Sequence, residues 1–197
     1  GRSLEPGVNF NRNTGAINIR GLEGSRVLTT IDGIPVPYLY DVTRGASGGV
    51  DAFDFSSLSA VDVMRGADSS RAGAGALGGV LGLSTLEPED LISNGRDWGG
   101  VLKSTYDSSD DSIAGSVAVA KRFGGTSVLF QGGYKQGNER ENNGTVEAYG
   151  PLRTLPNPSD YDQHNLLFKL RQTLEGGHVL GLTAERFDLT SDVDLRT

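Results

Sequence analysis

Three features of this chain have residue types and spacing that could do chemistry. Gly73-Ala74-Gly75-Ala76-Leu77-Gly78 has the G-x-G-x-x-G spacing of a dinucleotide-binding turn. Such a turn needs a strand before it and a helix after it, so that pyrophosphate meets the helix N-terminus. Here the run passes directly into the alternating Val80-Leu81-Gly82-Leu83-Ser84-Thr85, and no Gly-Lys-Ser/Thr follows. Its glycines are read as allowing tight turns and close backbone approach. Asp107 to Asp111 gathers carboxylates at a loop tip with no partner base, a solvated run rather than an acid–base pair. His164 and His178 are expected at strand ends near turns, as surface side chains rather than haem or metal ligands. The residues therefore predict no catalytic site, no metal site and no enzyme.

Composition narrows the classes further. Absence of cysteine removes thiolate nucleophiles, disulfide scaffolds, iron–sulfur clusters and cysteine zinc sites. A net charge of −7 argues against a nucleic-acid partner, whose footprint is usually a basic patch. Mean hydropathy is −0.29 and no run of about 20 apolar residues exists, so helical membrane spans are not expected. A β-barrel remains open, because its lipid-facing residues only alternate and its average hydropathy stays low.

The elements that would position any site fall into two parts with different grammar, divided near Trp98. The first part holds eight arginines and no lysine, and the second holds all four lysines. A polar stretch, Ser93-Asn94-Gly95-Arg96-Asp97, marks the break. After it, period-two alternation predicts five strands of about ten residues, the length that a tilted strand needs to cross a bilayer. Ile113, Gly115, Val117 and Val119 oppose Ala114, Ser116, Ala118 and Ala120. Val128, Phe130, Gly132 and Tyr134 oppose Leu129, Gln131, Gly133 and Lys135. A strand from Asn165 to Arg171 alternates likewise, with Leu167 breaking its polar face. Gly124-Gly125 and Glu175-Gly176-Gly177 are expected tight turns, whereas Asp107–Asp111 and a long polar stretch from Gln136 to about Asp162 are expected loops. Short turns at one end and longer loops at the other are how outer-membrane barrels are built. Five strands cannot close a barrel, so the reading expects a longer protein.

The first part contains four linked motifs. They are Ile17-Asn18-Ile19-Arg20-Gly21-Leu22, Ile31-Asp32-Gly33-Ile34-Pro35-Val36, Val61-Asp62-Val63-Met64-Arg65-Gly66, and Gly73 to Val80. In order and spacing they resemble the plug domain of TonB-dependent outer-membrane receptors over about residues 10 to 90. Trp98-Gly99-Gly100 and the paired strands after it are similar to the start of that family's barrel, nearest the haem/haemoglobin and transferrin receptor branch. The usual family residue is Glu where Asp62 stands, and Arg71-Ala72-Gly73 departs from its usual Leu-Tyr-Gly.

The resemblance implies a fold and a function. The fold is an α/β plug with a small mixed sheet over residues 1–95. Residues 96–197 would then open an antiparallel transmembrane barrel of 22 strands. The function is a receptor and active transporter in the outer membrane of a Gram-negative bacterium. It would take up an iron complex (haem, haemoglobin-derived haem or a ferric siderophore) with energy from the TonB protein, and it implies no cofactor. The membrane lipid is its other partner. Residues carrying the plug motif are Arg20, Gly21, Asp32, Gly33, Asp62, Arg65, Gly66, Gly75, Gly78 and Gly79. In the family the loop after the Asp-Gly strand faces the extracellular vestibule. Here it carries Tyr38 and Tyr40, aromatics able to stack on haem or an aromatic chelator. The alternative reading is a β-rich surface binding module or adhesin without transport.

Overall fold

The computed structural model describes residues 8–11, 16–19, 21–22, 26–36, 38–41, 45–48, 54–65 and 77–196. Packing divides the chain into two compact units, Gly1–Leu86 and Glu87–Thr197. The expected turn-rich stretch at 93–97 thus lies inside the second.

In the first unit, β1 (Val8–Asn11) pairs with β2 (Ala16–Ile19), and β3 (Val27–Ile31) turns back through β4 (Ile34–Pro35). Next come the hairpin of β5 (Tyr38–Asp41) and β6 (Gly45–Gly48), a 3-10 turn at Phe55–Ser57, β7 (Leu58–Arg65) and β8 (Gly79–Thr85). The main sheet is mixed and runs β4-β3-β8-β7, with β3 parallel to β8 and β7 antiparallel to it. Central β8 is buried along nearly its whole length, which explains its continuous Val80-Leu81-Gly82-Leu83 run. Leu81 and Leu83 pack with Ile19, Val27 and Leu58 as the core, and Ile31 and Val63 lie against it. Among the described residues of this unit there is no α-helix.

The second unit begins with a short helix α1 (Pro88–Leu91) and continues as a five-stranded meander. Its strands are β9 (Trp98–Asp107), β10 (Ser112–Phe123), β11 (Thr126–Asn138), β12 (Ser159–Thr173) and β13 (Val179–Val193). Each pairs antiparallel with its sequence neighbour. Residues 112–123 form a strand and not a helix, as their alternation predicts. Among the described residues no helix is long and apolar enough to cross a membrane.

The strands run longer than the alternation alone suggests. The long loop covers 139–158, because β11 continues to Asn138 and β12 already starts at Ser159. Cross-strand pairing such as Asn138↔Asp160 and Gly137↔Tyr161 extends the ladder through residues that are polar on both faces. Pairing partners decide the strand there, where apolar alternation is silent. This corrects the expectation for His164, which lies inside β12 and not at a strand end. Its ring packs on Tyr134, with centroids 4.9 Å apart.

Candidate functional site

Elements of the two units position the candidate residues in different ways. In the first unit Asp32 and Gly33 form a two-residue hairpin turn with positive φ at both positions, +49° and +81°. The Asp32 backbone N–H donates to the Leu83 carbonyl at 2.8 Å. Its carboxylate accepts from the Thr85 N–H at 2.8 Å and from the Thr85 hydroxyl at 2.5 Å. The Asp-Gly signature therefore ties the β3–β4 turn to the end of β8. The turn directs the chain into β5, where Tyr38 stands opposite Gly48 and Tyr40 opposite Ala46. Both tyrosines thus sit on a paired strand.

The other motif positions are structural in placement. Gly21, at φ +86°, donates its N–H to the Asn18 side chain at 2.8 Å. Asp62 is exposed on β7 opposite Gly82, and Arg65 ends that strand opposite Gly79. Gly79 has φ +150°, and a Cβ there would run into the Met64 carbonyl oxygen. At Gly78 an added Cβ would meet the Leu22 side chain at 2.7 Å. Close backbone approach thus accounts for this glycine pair. Arg20, Gly66 and Gly75 lie outside the described residues.

In the second unit the meander has two unlike faces. Leu102, Val117, Leu166, Phe130, Phe168 and Leu182 all point to one side and are solvent-exposed, Leu102 by 80%. The opposite side carries Lys103, Ser116, Gln131, Asn165, Lys169 and Arg171, and there the Asn165 amide donates to Gln131 at 2.9 Å. Trp98 and Phe123 mark one border of the apolar face, and Tyr106 and Tyr134 mark the other. An apolar band between aromatic girdles is the pattern of a barrel wall facing lipid.

The polar face has a charge cluster that spacing alone does not reveal. Glu87 stands just ahead of α1, where its N–H donates to the Asp90 carboxylate at 2.8 Å. Its own carboxylate takes the Lys169 ammonium at 2.5 Å and the Arg171 guanidinium at 2.7 Å. Lys169 is 0% exposed, so its charge is removed from water and depends on such partners. Gly99 sits where a Cβ would collide with the Leu91 carbonyl, so the end of α1 lies directly on β9.

At the loop end Asp107 and Asp111 are exposed, as a solvated run predicts, whereas Asp110 is half-buried and partnered. Tyr161 donates its hydroxyl to Asp110 at 2.9 Å, and the Asn138 N–H donates to the Asp110 carbonyl at 2.9 Å. Tyr106 donates to Asp111 at 2.8 Å. Asp110 thus ties the β9–β10 loop to the ends of β11 and β12, and the Glu141 N–H, donating to the Ser109 carbonyl at 2.9 Å, joins it to the β11–β12 loop. The longer loop is ordered by its own side chains: the Thr154 hydroxyl accepts from the N–H of Thr145 and Val146, and the Arg153 guanidinium donates to the Pro156 carbonyl at 2.7 Å. It displays Tyr149, exposed by 81%, whose ring lies 5.9 Å from the Arg196 guanidinium. A hydrogen bond from Arg196 to Asp194 further favours the charged guanidinium. An exposed tyrosine in a polar loop carries no periodic signal, so Tyr149 is not legible in the sequence. No group of three or more metal-ligating side chains occurs among the described residues.

Residues 2–80 match the family model of the TonB-dependent Receptor Plug Domain. The chain is 29% identical over 156 residues to transferrin-binding protein A of Neisseria meningitidis serogroup B, covering 73% of this chain and 17% of that protein. It is 25% identical over 191 residues to a probable hemoglobin and hemoglobin-haptoglobin-binding protein 4 of Haemophilus influenzae, covering 90% of this chain and 18% of that protein. The FrpB iron transporter of Neisseria meningitidis (F3-3 variant) has a similar fold, with a TM-score of 0.65 at 23% identity. That likeness covers 93% of this chain and 28% of the solved one. The chain thus spans less than a fifth of these two sequence relatives.

Proposed function

We propose, for a chain that belongs to the TonB-dependent receptors, that it supplies the plug and the first five barrel strands of an active transporter in the Gram-negative outer membrane. In this reading residues 1–95 are the plug and residues 96–197 begin a 22-stranded barrel. The cargo is an iron complex, whether haem, haemoglobin-derived haem or a ferric siderophore, and the TonB protein supplies energy from the inner membrane. The observation that carries the reading is the two-faced meander of β9–β13, apolar outside and polar inside, with tight turns at one end and knitted loops at the other. A free surface module would leave that apolar face in water. The same face makes outer-membrane lipid a partner.

Growth under iron limitation on a panel of siderophores, haem and haemoglobin tests the cargo. The strain with the intact gene is expected to grow on at least one source that a deletion strain cannot use. Equal growth of both strains on every source would overturn iron as the cargo.

Within this reading Tyr38 and Tyr40, on the hairpin that follows the Asp-Gly turn, are proposed to stack on the bound ligand. Replacing both by Ala in the full-length protein is expected to weaken ligand binding by roughly 1–3 kcal/mol, the range of aromatic anchors. Titration calorimetry with the cargo found by the growth panel reads this directly. An unchanged Kd would place both rings outside the ligand site.

A further inference from the structure

On the outward face of the meander, toward its tight turns, the strands form an open groove of about 410 Å³. Trp98, Val119, Lys121, Val128, Phe130 and Phe168 line it. The register sets its walls. Val119 stands opposite Phe130, which stands opposite Phe168, and Trp98 stands opposite Lys121. The groove's volume lies in the range of small-molecule sites, and apolar side chains dominate the lining.

Lys121 is the charged group in the lining. It stands opposite Trp98, three residues before the Gly124-Gly125 turn, and its ammonium lies 4.8 Å from the centre of the Phe123 ring. In a barrel the short turns face the periplasm, so this cation sits where the hydrocarbon of the inner leaflet gives way to headgroups. Aromatic neighbours are suited to the same boundary. An apolar slot with a cation at its headgroup edge matches an acyl chain joined to an anion.

We propose that this slot binds one anionic phospholipid of the periplasmic leaflet, with an acyl chain along Val119 and Phe130 and the phosphate on the Lys121 ammonium. The site rests on the reading of β9–β13 as barrel wall. A polar chelate is a poorer occupant, because the lining offers it little hydrogen bonding to fix an orientation.

The test uses the full-length protein, purified in mild detergent and mixed with equal amounts of dioleoyl phosphatidylglycerol and dioleoyl phosphatidylcholine. Native mass spectrometry counts the lipid retained. The phosphatidylglycerol adduct is expected to exceed the phosphatidylcholine adduct about fivefold, the effect of one lysine at an anionic surface. Lys121→Gln is expected to bring the two adducts level. Val119→Phe, which narrows the slot, is expected to lower both and leave their ratio unchanged. Equal retention of the two lipids by the unmodified protein, or a preference that survives Lys121→Gln, would overturn the site. Heat-modifiable migration on gels, measured on the same samples, reports the closed barrel. Its absence would overturn the barrel reading and the site together, whereas its presence with no lipid preference would overturn the site alone.

Discussion

Deleting residues 10–90 from the full-length protein is expected to replace saturable, energy-dependent uptake by unsaturable leakage. A barrel of about 22 strands encloses a lumen wide enough to pass solutes unless something fills it. The deleted span holds the complete β4-β3-β8-β7 sheet and its core of Ile19, Val27, Leu58, Leu81 and Leu83. In the proposed transporter, no part of that core would be left to fill the lumen. Uptake of the cargo should then become linear in concentration and indifferent to an uncoupler. Sensitivity to a large antibiotic that the intact membrane excludes should rise in parallel. Ligand binding to the undeleted protein should need neither energy nor TonB, since binding is an equilibrium on a preformed surface. Saturable, uncoupler-sensitive uptake by the deleted form would remove the plug from the transport step.

Glu87→Ala is expected to destabilise the full-length receptor by about 1–3 kcal/mol, the range for taking one hydrogen-bonding partner from a desolvated charged group. The Lys169 ammonium is fully buried and loses the carboxylate 2.5 Å away. Arg171 is partly exposed and also reaches the Thr183 hydroxyl at 3.4 Å, so it tolerates the change better. Combining Glu87→Ala with Lys169→Met should recover more than half of the loss, because the uncharged side chain no longer needs a partner. Thermal unfolding followed by circular dichroism reads both variants. Equal loss in the single and double variants would mean that the cost arises from the displaced α1 segment and not from the weakened partnering of the Lys169 charge.

Much of the fold is legible in the residues themselves. Alternation is a local property with a period of two, so Ile113, Gly115, Val117 and Val119 announce both a strand and its apolar face without any partner. The Asp32-Gly33 and Gly124-Gly125 turns are equally local, since positive φ is a demand on one or two residues. Strand ends are less legible. Asn138 and Ser159 are polar and carry no alternation, and only pairing across the ladder makes them strand. For the same reason His164 reads as a strand-end residue in sequence and lies within β12 in the fold.

By itself, the sequence determined which residues alternate and where the turns must fall, because these depend on neighbours two to four positions away. Tertiary structure alone decided what the charged residues do. Asp110 looks like one solvated acid among several until Tyr161, 51 residues on, donates to it. Lys169 looks like an ordinary polar-face lysine until Glu87, 82 residues earlier, is brought onto it. A carboxylate or ammonium is satisfied by water in an unfolded chain and by a specific partner once burial removes that water. Which partner it meets is set by the sheet register and by where α1 packs, and neither is written in the local pattern.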